Sequence, residues 1–445
     1  MFDTSYCEGD TIATESTPPG RAGISVIRIS GAQAAGIVQL IFDRELPGES
    51  SLKFGRLHLD GQPEVILDEA VAAYFKAPHS YTGEDVIELS VHGNPVVVAS
   101  VLSELYKVGA RPAERGEFTL RAFLNGRIDL TQAEAVADLV GAVSPEAANR
   151  ALGQLQGNLR KAAEHIGELI NQVLVWCEVE LDFVEDDVEL ASSDDKVKQI
   201  DAALQACRRL TEGYNAARIY REGVTVAIIG APNVGKSSLF NALLGRDRAI
   251  VHAQPGTTRD VISGETIIKG VRFELFDTAG IRISRNEVED EGIRRALETS
   301  SHAHIRIHVT SLDDDELVEI KCDPKCEIWV LNKCDLGELP PCINALPVSA
   351  KTGKNLDLLK NKLLELSLGD ETPKDAVINR ERHYRALEIA QEALIHAQTA
   401  VRESHPVETT AEELREALAS IDSITGKRHL DDLLDSVFSQ FCIGK

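Results

Sequence analysis

The stretch that most restricts the fold is VTVAIIGAPNVGKSSLFNALL, residues 224–244. Gly230 to Ser237 fits G-x-x-x-x-G-K-[ST], with a β-branched apolar run before it and apolar residues at helical spacing behind it. A loop of this kind works only where a buried strand hands it to a helix N-terminus, because backbone N–H groups and the helix dipole must together meet phosphate oxygens. Gly230 and Gly235 permit the tight turn, and Asn233, Val234, Gly235, Lys236, Ser237 and Ser238 form the cradle. Lys236 is placed to reach the β- and γ-phosphates, and the Ser237 hydroxyl to ligate Mg²⁺.

The next motifs choose the nucleotide. Asp277, Thr278, Ala279 and Gly280 end the strand-like FELF, so that Asp277 can support Mg²⁺ from behind its ligands and the Gly280 N–H can face the γ-phosphate. Upstream, GTTRD offers the Thr257 and Thr258 hydroxyls to a switch loop. NKCD, which is Asn332, Lys333, Cys334 and Asp335, supplies a carboxylate that can accept from both N1–H and the 2-amino group of guanine. Adenine offers neither donor, so the ligand read here is GTP. Ser349, Ala350 and Lys351 add backbone N–H groups near the guanine carbonyl. Ile281 follows DTAG where Ras-like enzymes carry a water-orienting glutamine. Glu287, Glu289, Asp290 and Glu291 are the alternatives for that job, and each also suits an acidic helix start.

Composition bounds the rest. At 445 residues the chain exceeds one core and suggests about three domains. A net charge of −24 argues against broad, non-specific nucleic-acid binding, so an RNA partner would be held locally. No apolar stretch reaches the roughly 18–20 residues of a membrane span, and MFDTSYCEGD lacks a basic flank and apolar run, so a cytoplasmic protein with no membrane partner is expected. Eight cysteines are too few for a disulfide scaffold, and the spacing of Cys322, Cys326, Cys334 and Cys342 matches no common zinc pattern.

Along the chain, GISVIRISG, EAVAAYFKAP and EDVIELSVHGN read as strands of a compact α+β domain. Helical periodicity takes over from Thr119 to Tyr220, with Pro145 opening a helix after Ser144. Strand and helix alternate from Val224 to Leu368, which signals a mostly parallel sheet, and helix returns from ERHYRALEIAQ onward. Helices on both sides of an α/β unit suggest one helical domain that the α/β unit interrupts. The expected boundaries are 1–118, 119–220, 221–370 and 371–445.

DTIATESTPPGRAGISVIRISG, SYTGEDVIELSVHGN, RGEFTLRAFLNGRIDLTQAEAVADL, the nucleotide motifs and the terminal FCIGK together resemble the tRNA modification GTPase family MnmE, also called TrmE, over essentially the whole chain. An Era-like ribosome-assembly GTPase would instead place a basic RNA-binding module after the G domain; a non-catalytic folate-binding scaffold is the other alternative. The resemblance implies a homodimer built on an N-terminal domain that binds a tetrahydrofolate derivative, with an inserted Ras-like G domain in a split helical domain. It implies an FAD-containing partner, MnmG (GidA), in a heterotetramer or larger assembly that adds an aminomethyl or carboxymethylaminomethyl group to C5 of a wobble uridine in tRNA. GTP hydrolysis would drive the cycle through potassium-dependent pairing of G domains.

Position by position, the resemblance makes Asn233 a K⁺ ligand, helped by His252, Ala253, Gln254, Pro255, Gly256 and Thr257, with His252, Gln254 and Thr257 the candidate side chains. His252 stands where relatives carry threonine, which shifts weight to backbone carbonyls. Ser237 and Thr258 become Mg²⁺ ligands and Glu289 the catalytic carboxylate. Arg28, Glu88, Arg127 and Lys445 become the folate contacts, with methylene and formyl (5-formyl) donors both open. One carboxylate can grip the N–H and amino group of a pterin in two bonds, which suits Glu88. In FCIGK, Gly444 suits a close backbone approach, and Cys442 reads either as an apolar plug or as a nucleophile.

Overall fold

The computed structural model describes residues 9–48, 51–182, 191–245, 262–277, 303–312, 326–337, 345–369 and 378–427, and beyond them Leu434, Val437, Phe438, Phe441 and Gly444. They group into two compact units, one of residues 1–137, 154–168 and 418–445, the other of 138–153 and 169–417.

The first unit is an α+β layer. Its strands are β1 (Ile12–Glu15), β2 (Ile24–Ser30), β3 (Leu52–Leu59), β4 (Gln62–Phe75), β5 (Val86–His92) and the short β6 (Arg111–Pro112), in the order β3-β4-β5-β2-β1-β6. Alternation sets the faces: Ile27 and Ile29 of β2 and Ile87, Leu89 and Val91 of β5 are buried. They pack with Ile37, Val38 and Ile41 of α1 (Ala34–Ile41) and Val98, Val101 and Leu105 of α2 (Pro95–Lys107). The run VVVASVL, residues 96–102, therefore lies in a helix that buries Val98 and Val101 and leaves Val96 exposed, capped by the Asn94 side chain accepting from Val96 N and started by Pro95.

Two more helices follow, α3 (Glu117–Leu124) and α4 (Leu130–Val140), the second of them belonging to this unit as far as Ala137. Phe123, Leu130, Ala133 and Val136 form a second core with Val437, Phe438 and Phe441. The end of the chain is thereby anchored on the unit where the chain begins.

The helices α5 (Pro145–Leu155), α6 (Asn158–Asp182), α7 (Ser193–Thr211) and α8 (Tyr214–Glu222) follow. Pro145 opens α5 as expected, with the Ser144 hydroxyl accepting from Ala147 N. In the second unit the chain then enters a mostly parallel sheet of β7 (Val224–Gly230), β8 (Ile262–Ile268), β9 (Val271–Asp277), β10 (Ile305–Ser311), β11 (Glu327–Asn332) and β12 (Leu346–Pro347). The order is β12-β11-β10-β7-β9-β8, with only β8 antiparallel to its neighbour. Near-continuous apolar burial in Val226, Ala227 and Ile228 marks β7 as the central strand, and α9 (Lys236–Leu244) and α10 (Leu356–Leu368) share its core.

Helix returns in α11 (Glu381–Arg402) and α12 (Val407–Thr425). α11 packs along α7, where Gln398 Nε2 donates to Asp201 Oδ1 at 2.5 Å, and its Tyr384 stacks on Tyr214 of α8 at 4.4 Å between ring centres. Helices from before and after the α/β sheet thus form one packed group, the split helical arrangement expected from the sequence. Among the described residues, no helix is long and apolar enough to cross a membrane.

Candidate functional site

The nucleotide loop is Ala231 to Gly235, between β7 and α9. At its start, a Cβ on Gly230 would lie 2.1 Å from Val309 O of the next strand, so that position admits only glycine. Gly235 has φ +94°, and a Cβ there would lie 2.2 Å from Asn332 Nδ2. Asn233 sits at the crest with φ +68°, a conformation asparagine tolerates better than most residues. Ser237 and Ser238 are exposed in the first turn of α9, where unpaired backbone N–H groups favour an anion.

Lys236 curls back over the loop and donates to Gly230 O at 3.0 Å and Ala231 O at 2.7 Å. Burial pulls its ammonium below the usual lysine range, against the opposing charge of Asp277. Asp277 is buried at the end of β9, paired in register with Ile228 just before the loop. That adjacency puts its carboxylate beside the cradle.

Asn332 joins the separate motifs. Its Nδ2 donates to Val234 O of the phosphate loop at 2.9 Å, and its Oδ1 accepts from Ala350 N of the SAK turn at 3.1 Å. Lys333 turns the chain with φ +60°, and Cys334 is buried with its N–H on Val348 O at 3.2 Å. Asp335 is exposed, and a hydrogen bond from Ser349, then the charges of Lys351 and Lys354, holds its carboxyl below the usual range. Ser349 Oγ also accepts from Thr352 N at 3.2 Å, which fixes the turn. An exposed, ionised acceptor held beside the SAK amides is the geometry a guanine edge requires.

His252, Ala253, Gln254, Pro255, Gly256, Thr257, Thr258, Thr278, Ala279, Gly280 and Glu289 lie outside the described residues, as do Glu287, Asp290, Glu291, Cys322 and Cys342.

In the first unit, Arg28 and Glu88 face each other across β2 and β5. Arg28 donates from Nε at 2.9 Å and Nη2 at 2.7 Å, both to Glu88 Oε1. The Arg28 guanidinium carbon lies 5.3 Å from the Tyr81 ring centre and 5.6 Å from that of Phe118. Arg127 is exposed, and its stem runs beside the same Ser80–Asp85 loop, with Cγ 3.2 Å from where a Cβ on Gly83 would stand. Lys445 and Cys442 lie outside the described residues. Gly444 is buried with φ +97°, and a Cβ there would lie 2.6 Å from Glu15 O at the end of β1.

A buried ionic network supports this cluster, and sequence reading missed it. Arg121 is fully buried and donates to Glu84 Oε2 at 3.0 Å, Glu117 Oε1 at 3.0 Å and Asp10 Oδ1 at 2.5 Å. Arg111 reaches the same Glu117 and Asp10. Glu84 also accepts from Ser30 Oγ at 2.8 Å, tying the loop to the end of β2. The available signal was Glu117 and Arg121 at i and i+4 within the otherwise apolar helix EFTLRAFL.

Comparisons with known proteins bear on the family. The MnmE helical-domain family model matches residues 130–442, and the model of the GTP-binding protein TrmE N-terminus matches residues 11–127. The tRNA modification GTPase MnmE of Carboxydothermus hydrogenoformans is 38% identical, covering 98% of this chain and 99% of its own. That of Chlorobium chlorochromatii is 37% identical over 100% of both chains, and that of Azoarcus is 39% identical over 98% of each. Matched end to end at this level, the chain belongs to the tRNA modification GTPase family MnmE.

Proposed function

We propose that this chain is the GTP-hydrolysing component of a complex that modifies C5 of the wobble uridine of certain tRNAs, adding an aminomethyl or carboxymethylaminomethyl group. The observation that carries the reading is the match along 98–100% of the chain to tRNA modification GTPases. The three-way joint made by Asn332 supports it, since that joint holds a phosphate loop and a guanine-edge turn in one frame.

Loop amides and the first turn of α9 bind the phosphates, and Asp335 accepts from the guanine edge. Lys236 exchanges the Gly230 and Ala231 carbonyls for phosphate oxygens as nucleotide enters. Ser237 and Thr258 would hold Mg²⁺ with support from Asp277, a donor set of hard oxygens that suits this ion, and the ion would supply charge neutralisation for the phosphates. Asn233 offers an exposed amide oxygen for K⁺, together with His252, Gln254 and Thr257. Glu289 orients the attacking water, in place of the glutamine that Ile281 replaces.

In the same reading, Arg28, Glu88, Arg127 and Lys445 hold a tetrahydrofolate derivative. The paired, half-buried guanidinium and carboxylate fit a ring that presents a carbonyl beside N–H donors. The chain acts in the cytoplasm as a homodimer with an FAD-containing MnmG partner, and its domains are 1–118, 119–220, 221–370 and 371–445.

Nucleoside mass spectrometry of tRNA from a deletion strain tests the reading, with an unmodified wobble uridine expected; full modification would overturn it. GTP turnover is expected in K⁺ and largely lost in Na⁺, and equal turnover in both would remove the K⁺ assignment. Asp335→Asn is expected to weaken the preference for GTP, because an amide N–H₂ then faces the guanine donors.

A further inference from the structure

The Arg28 guanidinium is held in an unusual way for a half-buried cation. A single carboxylate oxygen, Glu88 Oε1, takes two of its N–H groups, and Nη1 makes no hydrogen bond among the described residues. What surrounds the rest of it is aromatic: the Tyr81 and Phe118 rings, at 5.3 Å and 5.6 Å.

Those rings are themselves fixed. Tyr81 and Phe118 share a small core with Ile12 and Ala113, and Tyr81 OH meets Thr119 Oγ1 at 2.8 Å in the fully buried start of α3. The loop that carries Tyr81 is closed by its own bonds, Ser80 Oγ to Glu84 O and Gly83 N to Ser80 Oγ, and by Asn125 Nδ2 on Thr82 O. A ring face attracts a guanidinium without taking any of its donors. A second carboxylate would have consumed the remaining edge.

We infer that Tyr81 and Phe118 are positioning residues for Arg28: they hold the guanidinium against their ring faces so that the edge not taken by Glu88 stays open to an acceptor on the bound ligand. For the folate-class ligand this rests on the proposed function above, and the acceptor would be the ring carbonyl. Tyr81 thereby contributes to specificity with no hydrogen bond of its own to the ligand, because its hydroxyl is spent on Thr119.

The test uses the full-length protein with isotope-labelled arginine. The Arg28 Nε–H signal, assigned by its loss in Arg28→Lys, is expected at a ring-current-shifted position in the wild type and in Tyr81→Phe, and to move toward the bulk arginine position in Tyr81→Leu. Phe118→Leu is expected to shift it in the same direction. In calorimetry with 5-formyltetrahydrofolate, Tyr81→Leu is expected to lose about tenfold in affinity and Tyr81→Phe less than about twofold. An Arg28 signal unmoved in Tyr81→Leu would overturn the inference. So would Tyr81→Phe losing as much affinity as Tyr81→Leu, since the Thr119 contact would then be what matters. Wild-type protein that binds no 5-formyltetrahydrofolate would overturn the folate reading instead, while the Arg28 signal still decides the role of the rings.

Discussion

The nucleotide loop and the Arg28–Glu88 cluster both gather polar side chains at a sheet, yet the first draws them from strand ends and the second from strand middles. β7, β9, β11 and β12 run parallel, so the loops that follow them emerge at one edge. Each loop is a contiguous motif, and the sheet only has to bring them side by side. Arg28 and Glu88 sit sixty positions apart and meet because β2 and β5 pair antiparallel in one register. A slip of one residue would turn one partner to the opposite face. A strand-end site therefore tolerates changes in its strands, whereas a mid-strand site depends on the whole sheet.

The largest expected effects separate chemistry from architecture. Glu289→Ala is expected to lower GTP turnover by about a hundredfold to ten-thousandfold while GTP affinity holds, the usual share of a positioned acid or base. Unchanged turnover in a stopped assay would remove Glu289. In the first unit the comparable loss falls on stability. Arg121→Met removes the buried cation that Asp10, Glu84 and Glu117 share, leaving Arg111 on only Asp10 and Glu117, and breaking such a set costs about 3–5 kcal/mol, read as the denaturation midpoint of the N-terminal unit. Burial pushes Glu117 up, but the hydrogen bond from Arg111 and its other partners outweigh that and leave it below the usual glutamate range. Its folded pKa being depressed, that stability is present above the ordinary glutamate pKa of about 4.3 and is lost as pH falls below it. A mutant with the wild-type acid midpoint would contradict this.

Asn332→Ala is a step smaller. Val234 O and Ala350 N both lose their partner, and at about 1–3 kcal/mol for an unpaired buried group GTP affinity should fall about tenfold to a hundredfold. Titration with a fluorescent guanine nucleotide measures it; an unchanged Kd would mean that the two loops are held together by something other than this amide.

Much of the nucleotide half was legible in the sequence because each motif states its own local chemistry. Gly230, Gly235, Lys236, Asp277 and Asp335 lie at the strand ends, turns and helix start where their motifs place them. What the motifs did not disclose is that Asn332 acts as a joint, a fact that lies in tertiary contact between residues 98 and 18 positions apart. The first unit was legible as strands, and the helix beneath VVVASVL and the Arg121 network were not. Apolar runs of that length suit strand and helix alike, and a buried arginine cannot be told from a surface one until its three carboxylates are placed around it.

Glu88→Gln probes the mid-strand site more gently. The amide keeps the shape but turns a charge-assisted bond into a neutral one, so folate affinity should fall about threefold to tenfold. The thermal midpoint should barely move, since the amide oxygen can still accept from Arg28 in the register that β2 and β5 fix. A large drop in the midpoint would mean that the pair holds the sheet together rather than serving the ligand.

The smallest expected effect, that of Gly444→Ala, belongs to the sharpest comparison, because the same lesion can be placed at both sites. Gly235→Ala and Gly444→Ala each force a side chain onto a left-handed backbone, with φ +94° and φ +97°. Each also puts a Cβ under 3 Å from a neighbour, Asn332 Nδ2 at 2.2 Å or Glu15 O at 2.6 Å. At Gly235 the loop is locked between β7 and α9, so strain of about 1–3 kcal/mol cannot escape and nucleotide binding should collapse. Gly444 meets Glu15 and Ser16 from outside any described helix or strand, and lifting it off them relieves the clash while Phe438 and Phe441 stay in their core. Folate affinity should therefore fall only about twofold to fivefold, through loss of whatever the terminal residue contributes, with stability unchanged. Equal losses from the two substitutions would show that the terminus is as rigidly built into its site as the phosphate loop is into the other.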